Sequence, residues 1–168
     1  MIYVYYYDAI IGKIGIRQEE EFITGVCLPG KAHFQYSYAD KHVVETDTAL
    51  IREAYKQLEE YLNLKRKAFD LPLKLIGTDF QIKVYSEINK IPYGSVATYK
   101  DIASKTGNCS AARAVGQACG RNPIPVFVPC HRVIASSGEI NGYCAGTEIK
   151  RKLLQIEQCR KGMPIKQT

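Results

Sequence analysis

The sequence predicts an α+β protein: a small N-terminal antiparallel sheet with one helix, followed by a mostly helical C-terminal domain that contains a helix-turn-helix. Three short β-rich runs stand near the N-terminus, an amphipathic helical pattern follows, and short helical segments separated by glycine turns fill the second half. The 168 residues suffice for one large domain or two small ones. We place two domains at residues 1–76 and 77–168.

The first domain is predicted from a strand pattern followed by a helix pattern. Its β-rich runs cover residues 2–7, 12–17 and 22–27. Because the connections between these runs are short, we expect an antiparallel meander. Apolar residues then recur at helical spacing from Leu50 to Leu62, which predicts one amphipathic helix beginning near Thr48. Residues 65–75, which include Pro72, have the composition of a linker.

The second domain begins with a helix and a turn. Asp79 is expected to cap a helix whose apolar face is formed by Phe80, Val84 and Ile88. The sequence Pro92-Tyr93-Gly94 then predicts a turn.

Two further helices follow with a glycine turn between them. Thr98 is expected to cap a short helix, with Asp101 as the partner in a capping box, and Gly107 ends this helix. Ser110 is expected to cap a second helix that reaches about Gly120. This spacing is typical of a helix-turn-helix, although many helical hairpins share it, so local spacing alone leaves DNA binding open.

The second of these helices has an unusual surface, because Arg113 is the only charged residue between Ser110 and Gly120. Six of its residues are small: Ala111, Ala112, Ala114, Gly116, Ala118 and Cys119. A helix that reads bases in the major groove carries several long polar side chains, and this one does not. Either the helix presses its backbone close to a groove and inserts Arg113, or the small residues only permit tight packing.

Charge and cysteine content narrow the class of protein. The net charge of +6 is compatible with a nucleic-acid partner. The six cysteines show no C-x-x-C spacing, and His33 and His42 stand away from any ligand cluster, so we expect no metal. We find no export signal and no apolar stretch of about 20 residues, which predicts a cytoplasmic protein, or a nuclear one in a eukaryote.

The candidate chemical centre is the pair Cys130-His131, which ends an apolar run. A cysteine in such a run is usually a packed residue, but an adjacent imidazole can accept the proton of a nucleophilic thiol. Glu157 lies on the same helical face as Leu153 and Leu154, so its carboxylate needs a buried partner, for which an imidazole is suited. The alternative is a glutamate at a helix end that bends into water.

At Pro129-Cys130-His131-Arg132-Val133 the chain resembles the O6-alkylguanine-DNA alkyltransferases, also called methylated-DNA–protein-cysteine methyltransferases. The similarity is continuous over the C-terminal half and looser before it. It also covers Gly77-Thr78-Asp79-Phe80-Gln81, Ile91-Pro92-Tyr93-Gly94, Thr98-Tyr99, Arg113-Ala114-Val115-Gly116, Asn122-Pro123, Gly142-Tyr143, Lys150 with Leu153-Leu154, and, in the first domain, Leu58-Glu59-Glu60-Tyr61 and Phe69-Asp70-Leu71-Pro72-Leu73.

The resemblance implies a role for five catalytic positions. Cys130 is implied to accept the alkyl group, His131 to activate it through a water, and Glu157 to orient His131. Tyr99 is implied to stand beside the guanine and donate a proton as the base leaves. Asn122 is implied to tie the recognition helix to the reactive segment.

The resemblance also implies binding positions and a reaction class. Residues assigned to the base pocket are Tyr143, Lys150, Val133 and Cys144, and residues assigned to DNA are Arg113, Tyr99, Lys100, Asn108, Ala112 and Ser136. Arg113 is implied to fill the gap left by a flipped base, with the helix-turn-helix in the minor groove. The expected partner is double-stranded DNA carrying O6-alkylguanine, bound by a monomer that acts once and without a cofactor.

Two positions depart from the family pattern. Cys144 stands where a serine is common, and Ala145 stands where a glycine is common. The extra methyl group of Ala145 leads us to expect weaker reaction with benzyl than with methyl adducts.

Three other functions remain as alternatives. A damage-binding relative without chemistry would lack the reactive cysteine, which is present here. A transcription factor would need a better base-reading helix. A cysteine hydrolase with a Cys-His-Glu triad would need an oxyanion hole.

Overall fold

The computed structural model describes residues 1–30 and 42–158, so His33 and Cys159 lie outside the described residues. The chain divides into two compact units, Met1–Ile76 and Gly77–Thr168. Across the described stretches, none of the helices has the length and apolar composition that crossing a bilayer requires.

The first unit is built on a four-stranded mixed sheet. Its strands are β1 (Ile2–Ala9), β2 (Gly12–Glu19), β3 (Phe22–Cys27) and β4 (Val43–Glu45), in the order β3-β2-β1-β4. The three predicted strands pair antiparallel, as expected. The prediction of a purely antiparallel sheet is wrong at β4, which pairs parallel to β1. All three residues of β4 are exposed, so its sequence carries no alternation of buried and exposed positions.

One helix packs on this sheet, which confirms the α+β prediction. Helix α1 (Ala49–Leu62) begins after Thr48, whose Oγ1 accepts a hydrogen bond from the Ile51 amide at 3.1 Å. The apolar side chains at helical spacing are buried against β1, β2 and β3. The segment predicted as a linker is attached to β3, because the Ile23 amide donates to the Pro72 carbonyl at 2.8 Å.

The second unit is mostly helical. Its elements are α2 (Asp79–Asn89), β5 (Ala97–Thr98), α3 (Tyr99–Lys105), α4 (Ala112–Gly120), a 3₁₀ turn (Cys130–Arg132), β6 (Val133–Ile134) and α5 (Thr147–Gln158). Strands β5 and β6 pair parallel, with Ala97 opposite Val133 and Thr98 opposite Ile134. This pairing brings the start of α3 beside the residues that follow Cys130.

The helix caps agree with the sequence at Thr98 and differ at two other positions. Thr98 and Asp101 form the expected capping box. Helix α2 is capped by Thr78 and not by Asp79, because Thr78 forms a box with Gln81 and Asp79 is already the first helical residue. Ser110 does not cap α4, since its own amide donates to the Asn108 side chain at 3.0 Å and belongs to the preceding turn.

Tyr85 makes a buried polar contact in the second unit that the sequence pattern did not predict. Tyr85 on α2 is fully buried, and its hydroxyl donates to the carbonyl of Ala118 on α4 at 2.9 Å. The hydrogen bond attaches α2 to the end of α4. Phe80, predicted for the buried face, is only partly buried, while Val84 and Ile88 are buried as predicted.

A candidate active site around Cys130

Cys130 opens the 3₁₀ turn and is 1% exposed. The preceding segment is apolar and buried from Ile124 to Pro129. Val126 within it has a φ of 76°, a left-handed conformation that a β-branched residue rarely adopts. The segment before Cys130 is therefore buried and contains a strained backbone position.

Asn122 holds this loop together. Its Nδ2 donates to the Val128 carbonyl at 3.0 Å and to Cys130 Sγ at 3.1 Å, and its Oδ1 accepts from the Ile124 amide at 3.0 Å. Asn122 lies just beyond the end of α4 and is 1% exposed. The same amide therefore fixes the loop beside α4 and donates to the sulfur, which stabilises negative charge as it develops there.

His131 and Glu157 form a buried pair. His131 Nε2 lies 2.8 Å from Glu157 Oε1, and both side chains are fully buried. Hydrogen bonds and nearby positive charge overcome burial and lower the pKa of Glu157 to about 2, so it is ionised at neutral pH. An ionised carboxylate only accepts hydrogen bonds, so Nε2 carries the proton of a neutral ring and Nδ1 carries the lone pair.

Arg132 is the member of this network that the sequence analysis missed. Its Nε lies 3.1 and 3.0 Å from the two oxygens of Glu157, its Nη2 lies 2.9 Å from Oε1, and its Nη1 donates to the Ile91 carbonyl at 2.7 Å. The Gly94 amide also donates to Glu157 Oε2, at 3.2 Å. Its position next to His131 could have identified it from the sequence, because a buried carboxylate paired with that histidine requires a nearby cation.

An open cleft of about 760 Å³ lies on the α4 side of the second unit. Seven residues predicted for DNA or the base pocket line it: Tyr99, Lys100, Ala112, Arg113, Ser136, Tyr143 and Cys144. Asn108 is exposed and Val133 is buried, and neither residue lines the cleft. Cys130 is 1% exposed and is not among the residues that line the cleft.

A hydrogen bond joins Tyr99, which lines the cleft, to the side chain of Lys150. Lys150 is fully buried, and its Nζ donates to the Val133 carbonyl at 2.6 Å and to the Tyr99 hydroxyl oxygen at 3.3 Å. Further bonds run to the carbonyls of Asn141 and Gly142 at 3.3 and 3.2 Å. Burial lowers the pKa of Lys150.

Tyr99 is held as a neutral proton donor. Burial, with smaller effects of charge on Cys119 and Cys130, raises the pKa of Tyr99 to about 12. Since its oxygen accepts from Lys150, the hydroxyl hydrogen is available to a group in the cleft.

The cleft wall formed by α4 consists of small residues and one long cation. Ala112, Gly116 and Cys119 face the cleft, and a Cβ added at Gly116 would lie 3.7 Å from the Tyr99 ring. Cys119, which the sequence analysis did not assign to the pocket, is buried, and burial raises its pKa to about 12. Arg113 is exposed at the edge of the cleft.

The positive charge of the chain resides in the unit that carries this cleft. Residues 77–168 contain thirteen Lys and Arg against six Asp and Glu, whereas residues 1–76 contain ten against eleven. Within residues 1–30 and 42–158, no three His, Cys, Asp or Glu side chains come together as a metal site. The cleft is therefore suited to a polyanion.

Comparison with known proteins gives matches over both units. Residues 2–75 match the family described as 6-O-methylguanine DNA methyltransferase, ribonuclease-like domain, and residues 79–159 match the corresponding DNA binding domain. The constitutive methylated-DNA–protein-cysteine methyltransferase of Bacillus subtilis strain 168 is 42% identical over 149 residues, which are 88% of this chain and 90% of that protein.

Two further relatives extend the similarity to an archaeon and to a solved structure. The methylated-DNA–protein-cysteine methyltransferase of Methanosarcina barkeri is 50% identical over 158 residues, 91% of this chain and 97% of that protein. The crystal structure of Mycobacterium tuberculosis OGT in complex with DNA superimposes with a TM-score of 0.83 at 36% identity and covers 94% of each chain.

Proposed function

The chain belongs to the O6-methylguanine DNA methyltransferase family, and we propose that it repairs DNA by transferring a methyl or other alkyl group from O6 of guanine to its own Cys130. The observation that carries the assignment of Cys130 is its hydrogen bond from Asn122 beside the buried pair of His131 and Glu157. The acceptor sulfur thus has a donor on one side and a base in the same turn.

The sulfur attacks the alkyl carbon in a displacement. His131 takes the thiol proton on Nδ1 through a water while Glu157 holds the ring by Nε2. A carbon–sulfur bond forms, the carbon–oxygen bond to guanine breaks, and its electron pair remains on O6. The product on Cys130 is a thioether, which has no good leaving group, so each molecule reacts once.

Tyr99 protonates the departing base. Its high pKa keeps the hydroxyl protonated until the guanine accumulates negative charge, and the Lys150 ammonium then lies beside the phenolate that remains. General acid catalysis of this kind typically contributes about 10²–10⁴-fold in rate. Tyr143, Val133 and Cys144 complete the pocket around the base.

The guanine reaches the sulfur after rotation out of the duplex. Unstacking costs a few kcal/mol and less for a damaged, badly paired base. Arg113 at the edge of the cleft enters the vacated position in the stack, and the small residues of α4 allow its backbone to approach the minor groove. Lys100, Asn108, Ala112 and Ser136 contact the DNA backbone around the lesion.

The proposal also covers the roles of the two domains, the oligomeric state and the cellular compartment. Residues 77–168 bind DNA and carry the acceptor, and residues 1–76 support them. The protein acts as a monomer on double-stranded DNA. Because the reaction needs a reduced thiol and DNA, it takes place in the cytoplasm, or in the nucleus of a eukaryote.

Peptide mapping tests the proposal. The protein is mixed with a duplex carrying one O6-methylguanine, digested, and analysed by mass spectrometry. We expect one added methyl group on the peptide that contains Cys130 and restored guanine in the DNA, with neither in Cys130→Ala. A matched Cys109→Ala variant, which removes an exposed thiol, is expected to react normally. Methyl transfer by Cys130→Ala, or none by the unaltered protein, overturns the proposal.

A further inference from the structure

We propose that Arg132 is a positioning residue for this reaction, because its bonds to Glu157 keep His131 a neutral base with its proton on Nε2. The inference rests on the proposed transfer to Cys130 and adds a residue to it. Arg132 does not touch the alkyl group; it acts through Glu157 on His131.

Arg132 and His131 meet on the same carboxylate. Both His131 Nε2 and Arg132 Nη2 lie within 2.9 Å of Glu157 Oε1. The guanidinium of Arg132 donates hydrogen bonds to both oxygens of Glu157, whereas the His131 ring hydrogen-bonds one of them. Arg132 is itself 7% exposed and is held by the Ile91 carbonyl, so it cannot turn to solvent without breaking a second bond.

A buried histidine beside a carboxylate can exist in two states. With the carboxylate as its only charged neighbour, the ring is held protonated as an ion pair and has no lone pair for a thiol proton. With an arginine already neutralising the carboxylate, a second positive charge is unfavourable, and the ring stays neutral while it still donates from Nε2. Because Arg132 already pairs with Glu157, the arrangement here is the one that keeps the His131 ring neutral.

Burial and a second cation near His131 also favour the neutral ring. Burial lowers the pKa of His131, the charges of Arg132 and Lys150 lower it further, and Glu157 opposes them. Gly94, on the loop before β5, contributes only an amide to Glu157, and Cys130 precedes the ring in the same turn. Arg132 is the one of these cations that bonds the carboxylate directly.

Histidine titration by NMR tests the inference without any DNA. The chain has only three histidines, which makes the His131 signal assignable. In Arg132→Met we expect the His131 pKa to rise by about one to two units, the size expected for removing one charge within about 6 Å at the effective dielectric of a protein. Arg132→Lys, which keeps the charge but not the two-pronged contact, should stay closer to the unaltered protein.

The single-turnover rate of methyl transfer should follow the titration. Its acid limb follows the pKa of His131, which burial lowers, and it moves to higher pH in Arg132→Met, so the variant loses roughly tenfold in rate one pH unit below the new midpoint. Arg151→Met removes an exposed arginine on α5 and is expected to leave both the His131 pKa and the limb in place.

A double variant keeps the test decisive if Arg132→Met does not fold. Glu157→Gln alone should lower the His131 pKa, and Arg132→Met with Glu157→Gln, which removes both charges, should return it towards the unaltered value. An unchanged His131 pKa across these variants, or equal loss of rate at every pH, overturns the inference. Failure of methyl transfer with the titration as expected would count against the proposed function instead.

Discussion

Replacing Glu157 by Gln should destabilise the protein by a calculable amount. The pKa of Glu157 falls from an ordinary value of 4.5 to about 2 in the folded protein, and each unit corresponds to about 1.4 kcal/mol, so the ionised carboxylate contributes about 3 kcal/mol. The substitution also leaves the guanidinium of Arg132 buried without its counter-ion. We therefore expect the free energy of unfolding to fall by about 3–5 kcal/mol at pH 7.

The pH dependence separates this cause from a general packing defect. Because the folded pKa of Glu157 lies below its unfolded value, its contribution is complete above pH 4.5 and is lost as the pH falls from 4.5 towards 2. Urea denaturation followed by circular dichroism should therefore show the gap between the two proteins shrinking by about 3 kcal/mol through this window.

A second glutamate on the same helix supplies a control. Glu148 lies on α5 with its side chain 82% exposed, paired to Lys152 at 3.3 Å. Glu148→Gln should change the free energy of unfolding by less than about 1 kcal/mol at any pH. The reasoning is refuted if Glu157→Gln keeps a constant gap between pH 4.5 and pH 3, or if it is no more harmful than Glu148→Gln.

Tyr99→Phe should slow methyl transfer by roughly 10²-fold with nearly unchanged DNA affinity, measured in single-turnover assays, and an unchanged rate would exclude Tyr99 as the acid. Arg113→Ala should slow repair of duplex DNA while leaving reaction with a free O6-methylguanine nucleoside unchanged, and equal losses on both substrates would contradict a role in base rotation. Ala145→Gly should raise the rate on benzyl adducts relative to methyl adducts, whereas equal rates on both adducts in the unaltered protein would rule out steric selection at Ala145. Iodoacetamide near neutral pH should label the exposed Cys109 and spare Cys119, whose pKa of about 12 leaves almost no thiolate, and labelling of Cys119 at a similar rate would argue against its burial.

The main elements of the fold could be predicted from the sequence because strong periodic patterns set them. Helix α1 begins where Thr48 precedes its apolar face, and Thr98 with Asp101 marks the start of α3. Strand β4 could not be predicted, since its three residues are exposed and their pairing with β1 is parallel and distant in sequence. The caps of α2 and α4 were each misplaced by one residue. Thr78 and Asp79 are adjacent polar residues that could both cap α2, and the turn at Asn108 places Ala111, which has no capping side chain, at the N-cap of α4.

Residues of the candidate site could be predicted from the sequence where they lie on one helix face or within one short motif. Glu157 shares a face with Leu153 and Leu154, and the structure brings it to His131. Arg132 was missed because its role depends on a carboxylate 25 residues later in the chain. Cys119 was missed as a pocket residue because the sequence of α4 alone does not reveal which of its small residues line the cleft.

Stoichiometry tests the central claim most directly. A fixed amount of protein is exposed to increasing amounts of duplex containing O6-methylguanine, and restored guanine and methylated Cys130 are counted in the same samples. Both quantities should rise together and stop at one per protein molecule. Continued repair beyond that ratio, or restored guanine with Cys130 unmodified, would contradict transfer to this cysteine.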